Sequence, residues 1–407
     1  MLRSSIIIII LFFTTQLFAQ KKLYPYREKS KWGFCDDKLK VVIKPVYNAA
    51  YPFNEGMARV TKYDSVTKKN LQAFIDEKGK LLYPFSSLYY YDFIDGRSIL
   101  EATNKKVGLV SKAGKILIDT IYKKIQYLPK SKVYKVTKNN LITLFSATGK
   151  QLFDFKYQDI DDATAEWHAL LDAGGTYCSY VNRNTGKEMN IKGDAAEEFA
   201  EGLAAFKLPG STMYGYINTN GETIIKPQFT KAKPFENGMA IVSVESYGGK
   251  GTFFIDKAGK PLFTGIHYKT IEPFRHGYAL VDEMLMDKDG KFSIKNVYNR
   301  QQDLLVTYTR KSSSIDKLIL TDYTGKQLLE VPYSSGSIGL TTEGNISYSK
   351  AHSYGLMDRK GKALTEAKYT GISFKHNIAY VYFYNDKTYS DVITGYLTDA
   401  GKECWKD

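Results

Sequence analysis

A five-residue turn signature, polar-x-x-Gly-Lys, recurs at Asp76–Lys80, Ser111–Lys115, Asp256–Lys260, Asp287–Lys291 and Asp358–Lys362. With looser copies included, its glycine falls at Gly79, Gly114, Gly149, Gly186, Gly221, Gly259, Gly290, Gly325, Gly361 and Gly401, at intervals of 31 to 40 residues. Lys38-Leu39-Lys40 marks one more copy without Gly, which makes about eleven units. A period held over almost the whole chain means one supersecondary unit repeated, each copy burying its apolar face on its neighbours.

Short apolar runs flank each turn: Trp32-Gly33-Phe34 or Gly215-Tyr216-Ile217 before it, Val41-Val42-Ile43 or Thr223-Ile224-Ile225 after it. This is a β-hairpin whose connection is a type I turn closed by Gly in the left-handed region, a G1 bulge. Lys44-Pro45-Val46-Tyr47 and Lys226-Pro227-Gln228-Phe229 follow, and since Pro has no N–H to donate, ladder pairing is expected to end there. A second anchor, Phe53-Asn54-Glu55-Gly56, Phe199-Ala200-Glu201-Gly202, Phe235-Glu236-Asn237-Gly238 or Phe274-Arg275-His276-Gly277, leads into a third strand such as Met57–Val60. The fold class is therefore all-β: a tandem array of about eleven three-stranded hairpin units, either an open β-solenoid or superhelix, or a propeller-like ring. Residues 20–31 would supply the third strand that the last unit lacks and so close a ring. In an open array Trp405 would instead be an end cap.

Lys31-Trp32-Gly33-Phe34 with its downstream Lys-Pro and Phe-x-Glu-Gly pieces resembles the bacterial WG-repeat family, over residues 29–405. Later units soften the dipeptide to Tyr214-Gly215, Tyr354-Gly355, Val107-Gly108 and Thr394-Gly395. What the resemblance implies is a β-rich repeat module with no general set of catalytic residues.

The N-terminus reads as an address. Arg3 precedes an unbroken apolar run, Ile6–Phe13, far shorter than the roughly 20 residues a spanning helix needs. Residues 1–19 are expected to be a signal peptide cleaved after Ala19, leaving residues 20–407 as the repeat domain, periplasmic or extracellular. No Cys follows the cut directly, which argues against a lipid anchor there, and no later run is long enough to cross a bilayer. Cys35, Cys178 and Cys404 are too few and too dispersed for a disulfide framework. A bridge between Cys35 and Cys404 would require the array to close on itself.

Chemistry is sparse. The five His residues (168, 267, 276, 352 and 376) have no metal-ligand spacing, and no paired Cys accompanies them. Asp287-Lys288-Asp289-Gly290 resembles the start of a calcium loop but is already explained as a hairpin turn. Asp159, Asp161, Asp162 and Glu166 form the densest acidic cluster, read as a solvated connector. Ser65–Lys68 and Ser314–Lys317 are Ser-x-x-Lys strings without the elements that would make them catalytic. Nucleotide-binding Gly-rich loops and the nucleophile elbow are missing, so no cofactor and no enzyme activity are expected.

Basic charge is the remaining signal. The chain carries 57 Lys and Arg against 43 Asp and Glu. Part of the excess is periodic: Lys80, Lys115, Lys150, Lys187, Lys260, Lys291, Lys326, Lys362 and Lys402 each follow a turn Gly. Stacked in register they would form a stripe able to attract polyanions by salt-sensitive electrostatics, although lysine at a hairpin edge also discourages stray strand pairing. The 32 Tyr residues are read as core and rim packing before a glycan-binding surface. The connectors Thr61–Asn70, Glu245–Lys250, Arg310–Asp316 and Ser334–Ser353 would emerge on one side of the array as partner-contact loops. The leading expectation is an exported, noncatalytic scaffold for protein or cell-surface contacts. The alternatives are an envelope carbohydrate or polyanion binder using the Lys stripe, and an enzyme whose site is assembled from inter-repeat loops.

Overall fold

Each Gly-Lys turn closes as its chemistry requires. Asp76 N–H bonds the Lys80 carbonyl at 2.9 Å, Gly79 N–H bonds the Asp76 carbonyl at 2.9 Å, and Gly79 has φ +81°. The Asp76 Oδ1 accepts the amides of Lys78 and Lys80, so a polar residue must open the turn. The Gly-less copy forms too: Leu39 takes φ 66° and donates to the Asp36 carbonyl at 3.0 Å.

The computed structural model describes residues 22–406, apart from 172–176, 190–192, 247–248, 264–267, 276, 301–302, 334–337, 340–344, 351 and 386–389. These residues form eleven sheets of three or four strands, antiparallel throughout but for one pair in the first sheet. The second shows the full plan: a short inner strand (Ala49–Ala50), two long central strands (Ala58–Asp64 and Lys69–Ile75) and an outer strand (Leu81–Ser86), hydrogen-bonded in chain order. The third strand expected of each unit thus pairs with the hairpin that follows it: Ala58–Asp64 lies against Lys69–Ile75.

Two expectations are corrected. Proline does not end the outer strand. Val41–Tyr47 runs through Pro45, pairing Phe34 with Ile43 and, across a register shift, Trp32 with Tyr47. The bulge places Pro45 on the sheet edge, where a missing N–H costs no ladder bond. Gly33 makes this possible, because a Cβ there would lie 2.2 Å from the Ile43 carbonyl oxygen. Gly215 stands in the same relation to Ile225, at 2.3 Å. Among the described residues the proposed connectors are also mostly strand: Thr61–Asp64 and Lys69–Asn70 lie in ladders on either side of the 65–68 turn, as do Glu245, Arg310 and Ser347.

Apolar side chains fill the spaces between successive sheets, and the order of these cores is cyclic. One joins the first sheet to the second (Phe34, Ile43, Val60, Ile75), one the sixth to the seventh (Tyr216, Phe229, Phe235, Val242), and so on to the tenth and eleventh (Leu356, Tyr369, Val381). The last core joins the eleventh sheet to the first through Tyr24, Tyr26, Cys35, Ile378, Tyr380, Tyr396 and Cys404. Backbone bonds complete the seam. Trp405–Lys406 pairs in parallel with Tyr24–Glu28, opposite Arg27 and Glu28. The array is therefore a ring, closed by the N-terminal segment as one reading of the sequence expected, and Trp405 is a seam residue rather than a free end cap.

Candidate functional site

Strand direction alternates from the inner to the outer edge of each sheet. Inner turns such as Asn54–Met57 and outer turns such as Asp76–Lys80 therefore emerge on one face of the ring, while the hairpin tips such as 65–68 emerge on the other. The inner turns are two-residue hairpins with both central residues left-handed: Glu55 and Gly56 at φ 51° and 77°, Glu201 and Gly202 at 51° and 88°. Their glutamates, which the sequence reading left without a role, lock neighbours together. The Glu55 carboxylate accepts the Gly96 amide at 2.8 Å and pairs with Lys112 at 3.4 Å. Glu201 accepts the Gly238 amide at 3.0 Å and pairs with Lys257 at 3.1 Å.

The nine periodic lysines all lie on this turn face and all are exposed. Their backbones are fixed by the turns, but among the described residues none of their ammonium groups is in an ion pair; Lys402 alone reaches a carbonyl, that of Asp37 at 3.3 Å. The turns differ in what opens them. Asp76, Asp256, Asp287, Asp322 and Asp358 put a carboxylate against the lysine amide, as at 2.8 Å for Asp256 and Lys260. Ser111, Ser146, Asn182 and Thr398 open theirs without charge. Three of these neutral turns belong to consecutive sheets, the third, fourth and fifth, so Lys115, Lys150 and Lys187 form an arc whose turns open without a carboxylate.

The other sequence candidates do not converge. Asp159 pairs with Lys135 at 2.6 Å, Asp162 accepts the amides of Lys130 and Ser131, and Asp161 accepts the Ala169 amide at 2.7 Å. Among the described residues no group of three or more His, Cys, Asp or Glu could hold a metal ion. Asp287 is the turn opener the repeat required. Ser65 lies in a hairpin tip and Ser314 in a strand whose Lys317 pairs with Glu330. His267 and His276 lie outside the described residues, as does the proposed signal peptide. His168 is fully buried, with Nδ1 2.9 Å from the Asp161 carbonyl oxygen. Burial pushes its pKa down and pushes the Asp161 carboxyl up to about 7. Exposed His352 stands alone, and His376 sits at an inner turn 3.4 Å from Asp92, which also binds Lys375 at 2.5 Å. Buried tyrosines such as Tyr24, Tyr134, Tyr180 and Tyr216 serve the cores. In the second sheet, Arg59 lies 4.0 Å from the Tyr51 ring and donates to the Tyr90 carbonyl of the third at 3.1 Å.

The ring of small sheets with its recurring turns defines a β-repeat protein. The family model described as "WG containing repeat" matches residues 32–64, 214–247 and 354–387, so the chain contains WG repeats. No curated protein matches it. Among solved structures, the computationally designed Ika8 protein is 12% identical, over 89% of this chain and 96% of its own, with a TM-score of 0.30. The tricorn protease is 11% identical over 89% of this chain and 47% of its own, at 0.21. Hydrazine synthase of Kuenenia stuttgartiensis is 11% identical over 66% and 94%, at 0.25. Scores this low carry no argument. No helix among the described residues is long and apolar enough to cross a membrane.

Proposed function

We propose that this protein is an exported, noncatalytic scaffold that binds at its surface, and that the bound partner is a polyanion held on the turn face. The observation that carries this reading is the arc of Lys115, Lys150 and Lys187, exposed, unpaired and opened by uncharged turns in three consecutive sheets. A rigid curved row of cations lowers the free energy of a flexible anionic chain by releasing its counterions and requires no enclosed pocket. Support for a noncatalytic role is the dispersal of the acidic and His residues, among which Asp159, Asp161, Asp162 and His168 each have a structural partner of their own.

The test is the binding of dextran sulfate to residues 20–407, followed as a function of salt. Affinity is expected to fall steeply as salt rises. Replacing Lys115, Lys150 and Lys187 with Gln should reduce the slope of log affinity against log salt by about 2 to 3. Replacing Lys260, Lys291 and Lys362, whose turns open with Asp, should reduce it by less. Equal losses from the two triple variants would make the neutral arc irrelevant. A salt-insensitive affinity would overturn the polyanion reading and return the scaffold to protein contact.

A further inference from the structure

The seam that closes the ring brings together two cysteines that lie almost the whole chain apart. Cys35 ends the strand Lys31–Cys35, and because side chains alternate, Phe34 enters the core shared with the second sheet while Cys35 enters the core shared with the eleventh. Cys404 is held by both sheets at once. Its N–H bonds the Tyr396 carbonyl at 2.9 Å in the eleventh sheet, and its carbonyl accepts the Arg27 amide at 3.0 Å in the first. Both thiols are fully buried, walled by Tyr24, Tyr26, Tyr380 and Tyr396. A hydrogen bond between the two thiols together with burial pushes the Cys404 thiol well above the ordinary range. The third cysteine, Cys178, lies on a strand of the fifth sheet.

We propose that Cys35 and Cys404 are a disulfide-forming pair, and that their oxidation covalently closes the ring. In the closed fold both thiols are shut away from solvent, so the reaction belongs to the moment before the C-terminal strand docks. One thiolate attacks an external disulfide, such as oxidised glutathione, forming a mixed disulfide and releasing one thiol. The other cysteine then attacks that cysteine's sulfur and displaces the second thiol. Two protein thiols and one external disulfide become one protein disulfide and two external thiols. The bond encloses nearly all of the repeat domain in a single loop, the case in which restricting the unfolded chain has its largest effect. This inference does not depend on what the turn face binds.

The experiment takes residues 20–407, unfolded and refolded in a buffer of reduced and oxidised glutathione, and counts thiols under denaturing conditions. Three thiols should fall to one, and peptide mapping without reductant should give one linked species containing Cys35 and Cys404, with Cys178 free. Limited proteolysis supplies a second readout. A chain cut once in the 65–68 hairpin tip should run as one species without reductant and as two with it. The oxidised protein should unfold at higher urea than the reduced one, a difference that Cys35→Ala removes. Three remaining thiols, or a bond involving Cys178, would overturn the proposal, and the first measurements stand on the unaltered sequence even if the alanine variant folds poorly.

Discussion

The carboxylate of Glu201 and the backbone amide of Gly238, 37 residues apart, meet at 3.0 Å and join the inner turn of the sixth sheet to that of the seventh. Glu55 and Gly96 repeat the relationship at 2.8 Å between the second and third. In each pair a lysine from the next sheet's outer turn completes the contact, so register between neighbours is set by a charged clamp as well as by the core.

Replacing Glu201 with Ala should therefore destabilise the protein by about 1 to 2 kcal/mol, a charge-assisted bond discounted for partial exposure. Burial acts to raise the Glu201 pKa, but the bonds from Lys257 and Gly238 outweigh it and hold it below the usual carboxylate range. The clamp's contribution is thus present above the unfolded pKa and lost as pH falls through the folded one. Urea unfolding of Glu201→Ala and the parent at pH 7 and at pH 3 checks this, and the difference should be smaller at the lower pH.

Two glycines with different duties separate steric from conformational cost. A Cβ on Gly215 would sit 2.3 Å from the Ile225 carbonyl oxygen and 2.9 Å from the Pro227 nitrogen, both backbone atoms of the outer strand. Gly215→Ala should cost about 2 to 4 kcal/mol, since the outer-strand bulge has to move. Gly238 has φ +78° and nothing within 4 Å of the added atom, so Gly238→Ala should cost only about 1 kcal/mol, the penalty for a left-handed non-Gly residue. Thermal unfolding of the two variants gives the comparison directly.

Asp161 and His168 make opposing contributions to pH dependence. Burial raises the folded Asp161 pKa to about 7, so the folded state holds a proton there that the unfolded state has released, and stability falls as pH rises from about 4 to 7. Burial lowers the His168 pKa, so the unfolded state takes up a proton first and stability falls as pH drops below about 6.5. Asp161→Asn keeps an acceptor for the Ala169 amide and removes only the first effect. Its stability should rise more steeply from pH 5 to 7 than that of the parent, measured by urea midpoint at each pH.

What the sequence disclosed and what it concealed follow from the range of the interactions. Gly79 and its fellows were legible because a left-handed turn position is a local requirement, satisfied within five residues and repeated. Pro45 was misread because its consequence depends on whether its strand is central or outermost, and that is decided by the stacking of neighbours. Glu55 gave no signal because its partner, Gly96, lies one repeat away. The neutral arc was half visible: the periodic lysines could be counted, but the contrast between Ser111 and Asp256 as turn openers matters only once their side chains are seen against the lysine amides. The contact between Cys35 and Cys404 depends wholly on closure, which the alternation of strands could not decide between ring and superhelix.

Closure itself yields the last expectation. Removing residues 403–407 takes away the strand that pairs with Arg27 and Glu28, the carbonyls that receive the Arg27 and Lys29 amides, and Cys404 from the seam core. Trp405 also leaves its place over Gly395, where ring carbon and an added Cβ would be 2.3 Å apart, and its edge-on contact with Phe383 at 6.4 Å. The core between the sixth and seventh sheets loses nothing, because each core is shared only by its two neighbours. Hydrogen exchange of the truncated chain should show protection collapsing in Tyr24–Glu28 and in the strand that ends at Leu397, while Ala240–Ser246 keeps its own. Uniform loss across all eleven sheets would instead mean that the ring unfolds as one cooperative body, held by its seam.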